Sequence, residues 1–474
     1  MELFIQNINS QINSEVTIKI IGYGEQSTLN GGFSCPTFAY LNGGVDNRLD
    51  SSNCRKIYIS EEESLEINTV KLVWNSRLQN TISMFHELNN IIEVDLSNFD
   101  SSEVTDMTHM FHDCHAIKSI NFQNFDTSLV TSMECAFYNC IALEQLDLSS
   151  FNTPNLSQMR LLFFGCQNMI SVDISSFDTS NVINMEFLFF QCFHLKDLTL
   201  SNFDTSKVEK MNYMFFQCQN LESLDLSMFN TPSLKDMDCM LFGIDKIISL
   251  NLDNFDTSQL TNMNSLFEDC KALKYLNISK FNTSEVTNMN NMFRSCSQLE
   301  FLDLSSFHTP KLESMNEMFY GCESLTSLDI KNFDTSHITT VSSLFKNCST
   351  LPSLNISNFN TENVTTMDSM FEGCKSLRTI DISNFDIKSS TTLKNMFLDC
   401  ENLEYINFMS YNDLNDSDSL LDILKNTPEN IVICINLNNS DNLIQIINEK
   451  LCPTIYCGED WKSKKKYILE IIPA

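Results

Sequence analysis

Apolar residues recur in two alternating rhythms through most of this chain. Leu143, Leu146 and Leu148 leave polar residues between them, so Leu146 and Leu148 point to one side of a strand while Asp147 points to the other. Further on, apolar residues follow at intervals of three and four, the spacing of one helical face: Leu156, Met159, Leu162, Phe163 and Cys166. The pattern therefore predicts a short strand followed by a helix.

Two residue types repeat this unit at every twenty-sixth position. Phenylalanine stands at twelve positions without a gap: Phe99, Phe125, Phe151, Phe177, Phe203, Phe229, Phe255, Phe281, Phe307, Phe333, Phe359 and Phe385. Cysteine stands at eleven more, with Ile244 in the single gap: Cys114, Cys140, Cys166, Cys192, Cys218, Cys270, Cys296, Cys322, Cys348, Cys374 and Cys400. Such a series predicts a solenoid, in which each unit buries its apolar face against its neighbours.

Both ends of the predicted helix carry suitable residues. Thr153 fits the N-cap, where its hydroxyl accepts a bond from the first helical turn. The residue before each cysteine, Gly165 in this unit, is often Gly, Asn or Asp, which tolerate the left-handed backbone that ends a helix. With the strand pattern L-x-x-L-x-L, these signals predict an α/β leucine-rich-repeat solenoid. It has about twelve strand-plus-helix units and one parallel sheet, and it is capped at both ends.

The repeat also sets the predicted domain boundaries. Residues 1–64 form an N-terminal capping segment, and residues 65–408 form the solenoid, with regular repeats over about 91–408. Residues 80–90 look like a decayed unit. Residues 409–474 predict a small α/β cap, whose strands and helices are expected in this order: strand 430–435, helix 441–451, strand 454–457 and helix 461–468.

Several blocks resemble a known bacterial repeat. Residues 281–289, 291–296 and 302–307 are similar to the 26-residue repeat of the BspA-like leucine-rich-repeat surface proteins. The resemblance covers the repeats and not the two ends. It implies a non-enzymatic protein, secreted or on the cell surface, that acts in adhesion or in recognising a protein or a glycan. Residues 1–6 lack the basic start and apolar run of a signal peptide, and no anchor is visible. Either the chain is a fragment, or its export uses another route, or it is an intracellular scaffold for protein-protein interaction.

The chain is strongly acidic, with a formal net charge of −31, which argues against nucleic acid as a partner. Part of this charge follows the outward side of the predicted strands. Its acidic members are the candidate ligand-binding residues: Asp95, Asp147, Asp173, Asp225, Asp303, Asp329 and Asp381. Neighbours such as Asp147 and Asp173 are expected about 4.8 Å apart and repel each other. Calcium would relieve that repulsion, but a solvated polar face is the simpler expectation and no cofactor is required.

The repeated cysteines favour burial over metal or disulfide chemistry, because Ile244 shows that an apolar side chain is accepted there. We therefore expect free, buried thiols. Towards the C-terminus, Cys434, Cys452 and Cys457 are candidates for a disulfide bridge in a secreted protein, with partners left open.

The first regular repeat contains a cluster of histidines. His109, His112 and His115, with Cys114, include zinc-ligand types, but no other unit repeats them, so solvent-facing histidines and no metal are expected.

The sequence has no phosphate-binding loop, no G-x-S-x-G and no H-E-x-x-H, which predicts that it is not an enzyme. The sequence has no run of 18 consecutive apolar residues, so no membrane span is predicted.

Overall fold

Stacked turns, each one sequence repeat long, recur in both compact units of the chain, Met1–Ser233 and Leu234–Ala474. The computed structural model describes the following residues: 14–46, 54–61, 65–387, 391–410, 417–436, 441–450 and 453–464.

The first unit contains eleven of the described strands. Its strands are β1 Ser14–Ile20, β2 Gly24–Ser27, β3 Phe38–Leu41, β4 Gly44–Asp46, β5 Lys56–Ile59, β6 Asn68–Trp74, β7 Ile91–Asn98, β8 Ser119–Asn121, β9 Gln145–Asp147, β10 Ser171–Asp173 and β11 Asp197–Thr199. Six of them form one sheet in the order β4-β3-β6-β1-β7-β8, in which β7 pairs antiparallel with β1 and parallel with β8. The N-terminal segment thus pairs with the first strand of the stack, which would otherwise present an open edge.

The second unit carries the remaining elements. They are β12 Ser249–Asn251, β13 Tyr275–Asn277, β14 Thr379–Asp381, β15 Tyr405–Phe408, a 3-10 turn Ser417–Leu420, β16 Val432–Ile435, α1 Asp441–Asn448, β17 Thr454–Ile455 and α2 Trp461–Lys464. Strands β14, β15, β16 and β17 pair in parallel in that order. The strands and helices predicted after residue 429 are found, although residues 465–468 of the last predicted helix lie outside the described residues.

The helix predicted in each repeat is wrong, and consecutive tight turns take its place. In the turn before Cys114, the N–H of Met110 bonds to the carbonyl of Met107 at 3.1 Å, which is the i to i+3 bond of a turn. His109 and Asp113 have φ angles of 58° and 57°, in the left-handed region, so an α-helix cannot continue through them. Consecutive turns bring apolar residues to one side every three or four positions, as a helix does.

Backbone groups of these turns bond to the next repeat. The N–H of Phe111 donates to the carbonyl of Ala136 at 2.8 Å, and that of Phe137 donates to Leu162 at 3.0 Å. Described strands of neighbouring repeats pair in parallel, as predicted. The prediction of one continuous parallel sheet is wrong, because the described strands form separate sheets and no strand is present at residues 223–225, 301–303 and 327–329. Among the described residues, α-helix occurs only after residue 440. The strand-plus-helix class is therefore corrected to a β-solenoid of about 13 turns.

The threonine predicted as an N-cap also has a different role. The hydroxyl of Thr153 accepts the N–H of Asp178, in the next repeat, at 2.9 Å. The expected left-handed residue is confirmed, since all twelve residues that precede the ladder position have a positive φ, including Gly165 at 69° and Gln217 at 58°. The sequence thus identified the chain reversal correctly and assigned it to the wrong element.

The repeated cysteines are buried and unbridged, as predicted. Each thiol also donates to a carbonyl 29 residues earlier, as Cys296 does to Phe267 at 3.1 Å. The same bond is made by all eleven ladder cysteines. Burial raises the pKa of the Cys166 thiol to about 12, so the reactive thiolate is scarce at neutral pH.

Candidate binding face

In each unit, one position of the repeat turns polar side chains outward, and the predicted aspartates occupy it: Asp95, Asp147, Asp173 and Asp225 in the first unit, and Asp303, Asp329 and Asp381 in the second. We call this surface of each unit the strand face. Asp147 and Asp173 stand opposite each other in the register of β9 and β10, as the sequence predicted, while Leu146 and Val172 beside them are buried in the core. Asp95 is half-buried, and the other six are exposed: Asp147, Asp173, Asp225, Asp303, Asp329 and Asp381.

Each of these carboxylates accepts a hydrogen bond from the residue two positions further along the chain. Oδ1 of Asp147 accepts the backbone N–H of Ser149 at 3.0 Å and its hydroxyl at 2.6 Å. The N–H two residues further on bonds in the same way to the other six aspartates. Asparagine serves equally, as Asn121 does for Gln123 at 3.0 Å. The alternation of Asp and Asn in this row therefore follows from turn geometry.

Hydrogen bonding outweighs the repulsion expected between neighbouring aspartates. The Ser175 hydroxyl and N–H lower the pKa of Asp173, against the smaller opposing effects of burial and the Asp147 charge. The pKa of Asp303 is likewise lowered, chiefly by the Ser305 backbone N–H. These carboxylates are ionised at neutral pH and already hold local donors, so charge relief by an ion is not needed to explain the row.

Two exposed aromatic side chains on the strand face escaped the sequence analysis. Tyr275 and Phe301 are each 64% exposed and occupy the same position in consecutive repeats, two residues before Asn277 and Asp303. Elsewhere this position is mostly small and polar: Ser119, Ser171, Ser223, Ser249, Ser327 and Ser353. The available signal was an aromatic residue directly before the inward Leu276 and Leu302, in a place where the pattern requires an outward side chain.

The aromatic pair lines a shallow pocket of about 330 Å³. Polar groups are present at its edge, among them Asn251, Asn277 and Lys274. The Asn277 amide donates to the Asn251 side chain at 3.2 Å, which fixes the two groups relative to each other. An apolar surface with a few oriented polar groups is the usual composition of a recognition site.

Near the C-terminus, residues of the strand face and of the terminal elements line one pocket. Tyr405 stacks on Trp461 with ring centroids 5.1 Å apart, and both line a pocket of about 630 Å³ together with Asp381. A Cys434–Cys457 disulfide closes this end, with Cα atoms 4.6 Å apart. The bridge is one of those left open by the sequence, and Cys452 lies outside the described residues. A second bridge joins Cys35 to Cys54.

The histidine cluster is rearranged relative to the prediction. Cys114 points into the core, where its thiol donates to the Phe85 carbonyl at 2.9 Å. His86 from the preceding turn takes its place, with ring centroids 4.7 Å from His112 and 5.9 Å from His109. Both neighbours are half-buried and not solvent-facing, whereas His115 is exposed.

Within the described ranges, no helix is both long and apolar enough to cross a bilayer. No curated protein sequence shows significant similarity to this chain.

Two solved structures of leucine-rich-repeat proteins show partial similarity to this chain. One is a leucine-rich-repeat protein from Eubacterium ventriosum, 18% identical, with a TM-score of 0.33, covering 61% of this chain and 78% of that one. Another is a leucine-rich-repeat protein of Leptospira interrogans, 15% identical, with a TM-score of 0.25, covering 80% of this chain and 93% of that one.

One family model matches the chain four times in succession. The matched residues are 58–170, 158–247, 240–328 and 323–429, which together include the whole repeat region. The sequence period, the stacked turns and this match agree with one another. The chain therefore belongs to the family described as Mycoplasma protein of unknown function, DUF285.

Proposed function

We propose that this protein is a non-enzymatic binding module that holds a protein partner on its strand face, with Tyr275 and Phe301 as anchors. The single observation that supports this is their exposure, 64% each, at one register position of consecutive repeats. Large aromatic side chains are enriched among residues that dominate binding energy, because they bury much surface and lose little conformational freedom.

The surrounding polar residues suit a supporting role in this proposal. Asp303 and Asp329 are exposed and ionised, and Asp225 and Asp381 present the same group elsewhere on the strand face. A row of carboxylates steers a basic partner towards the surface and is sensitive to salt. The candidate residues Asp95, Asp147 and Asp173 present the same group in the first unit. A glycan is the second ligand class, because sugar rings also stack on exposed aromatic side chains.

We place the protein at the cell surface or in the secreted fraction, with adhesion as its role, on the strength of the BspA-like resemblance of the repeats. An intracellular scaffold is the alternative. Labelling of intact cells with a membrane-impermeant reagent separates the two: labelling supports the surface proposal, and labelling only after lysis supports the scaffold.

The binding proposal is tested on arrays of host proteins and glycans. The full chain is compared with the Tyr275→Ser and Phe301→Ser double variant, in the presence and absence of calcium. Tyr58→Ser is the matched control, since Tyr58 is 57% exposed on β5, which pairs with β2 and is not a strand of the repeats. We expect a signal from wild type and control that the double variant lacks. Equal signals from all three would place recognition elsewhere.

A further inference from the structure

Three side chains at the start of the stack are arranged as ligands of a metal ion. One ligand atom each from His86, His112 and Asp113 lie within 4.8 Å of one another. The two histidines are one repeat apart, so they belong to the same position of the decayed turn and of the first regular turn. The ring of His109 lies beside them, with its centroid 4.8 Å from that of His112.

The histidine nitrogens have unused bonding capacity. Nδ1 of His109 and Nδ1 of His112 are buried and make no hydrogen bond. Nδ1 of His112 is 3.1 Å from Oδ2 of Asp113, a close contact without the geometry of a hydrogen bond. Buried polar atoms normally have a partner, so two such nitrogens in one cluster call for an explanation.

Neighbouring residues hold the candidate ligands in place. The His112 ring stacks on Tyr138, with centroids 4.3 Å apart, which fixes its plane. The Asn139 amide donates to Oδ1 of Asp113 at 2.8 Å and leaves Oδ2 directed to His112. Oriented support of this kind around ligating groups is characteristic of metal sites.

We propose that His86, His112 and Asp113 bind a divalent transition metal of the zinc class. Two imidazoles and one carboxylate are an accepted zinc ligand set, with the fourth position left to water or to His109. The distances require a small closure of the side chains, because zinc bonds of about 2.0–2.2 Å bring ligand atoms nearer than 4.8 Å. The ion would tie the decayed turn to the first regular turn, where the stack lacks a regular neighbour on one side.

The test uses the full chain, freed of metal by a chelator and titrated with Zn²⁺ in a calorimeter. We expect one ion per chain and a rise in the unfolding temperature when zinc is added. His86→Ala and His112→Phe should abolish both effects, and the phenylalanine retains the stacking on Tyr138. Asn139→Ala should weaken binding by about 10- to 100-fold through the released carboxylate.

Two controls separate this site from other ligands. His194→Ala removes an exposed histidine whose Nδ1 contacts the Gln167 carbonyl at 2.9 Å, and it should leave zinc binding unchanged. With Co²⁺ in place of zinc, the absorption spectrum should lack the charge-transfer band of a thiolate ligand. Absence of zinc binding by the wild type, or unchanged binding in His86→Ala, would overturn the proposal.

Discussion

The hydroxyl of Thr127 makes two hydrogen bonds to the backbone of Asn152, one in each direction. It donates to the Asn152 carbonyl at 2.9 Å and accepts the Asn152 N–H at 2.9 Å. Thr127 is 1% exposed, so its hydroxyl is buried, and the two bonds to the exposed Asn152 are part-buried. A buried threonine thus completes the backbone bonding of the next repeat, at a corner that has no regular strand.

Thr257 allows this role to be measured, because it bonds to Asn282 in the same way at 3.0 and 2.7 Å. Thr257→Ala should lower the free energy of unfolding by about 1–3 kcal/mol, since two part-buried backbone groups lose their partner. Thr257→Ser keeps the hydroxyl and should cost about 1 kcal/mol, the value of one methyl group. Urea denaturation measures both changes, and equal losses would show that the hydroxyl is unimportant.

The thiol ladder is expected to be inert in the folded protein. Cys296 is fully buried, and burial raises the pKa of its thiol. Native protein at pH 8 should resist alkylation at Cys296, whereas unfolded protein should react fully. Cys296→Ala should cost about 1–3 kcal/mol, through lost packing and the lost donor to Phe267. Rapid native alkylation, detected by mass spectrometry, would contradict this prediction.

Gly165 and Gly321 occupy equivalent left-handed positions with different surroundings. A Cβ added at Gly165 would lie 2.0 Å from Oδ1 of Asn139, whereas at Gly321 the nearest atom, Cα of Ser295, is 3.4 Å away. Both Ala variants carry left-handed strain of about 1–2 kcal/mol. Gly165→Ala should cost more, because Asn139 must move and break its bond to Asp113. When Asn139→Ala is added to both variants, the difference in unfolding temperature between Gly165→Ala and Gly321→Ala should become smaller. An unchanged difference would refute the steric explanation.

The aspartate turns predict a dependence of stability on pH. Hydrogen bonds from the residue two positions on lower the pKa of five aspartates: Asp147, Asp173, Asp225, Asp303 and Asp329. A carboxyl group with a lower pKa in the folded state contributes stability above its unfolded pKa of about 4, and this contribution is lost as the pH falls below that value.

A variant with all five aspartates changed to asparagine tests this dependence. Asparagine accepts the same backbone N–H, as Asn121 does, but it does not titrate. Between pH 6 and pH 3 the variant should lose less stability than the wild type, measured by urea denaturation at each pH. A decline as steep as that of the wild type would show that these carboxylates do not contribute.

Much of the fold was predictable because the repeat is exact in length. Its constant period identified the parallel pairing, the buried cysteines and the left-handed residue before them. The helix was wrong because consecutive turns and a helix share the three- and four-residue spacing of apolar side chains, so Met107 and Met110 fit both. Thr153 was misread for a related reason, since a buried hydroxyl bonds equally well to a helix end or to a neighbouring repeat.

The candidate sites were less accessible to sequence reasoning. The aspartate row was found, but its role in turns depends on a bond from Ser149 to Asp147 that only coordinates reveal. Tyr275 and Phe301 stand where most repeats have a small polar residue, so the repeat pattern itself does not indicate them. His86 lies in the decayed turn at residues 80–90, which matches the repeat at its core positions, so the repeat does not predict its polar residues.

The central claim is that a protein partner binds to the strand face at Tyr275 and Phe301. Its most direct test is the dissociation constant for the strongest protein hit from the array, measured for wild type and variants that fold normally. Tyr275→Ser with Phe301→Ser should weaken binding by at least about 100-fold, as expected for two dominant contacts. Asp303→Ala with Asp329→Ala should weaken it less and reduce its salt dependence. Unchanged affinity in both double variants, with binding lost on deletion of residues 409–474, would contradict the claim and assign recognition to the C-terminal segment.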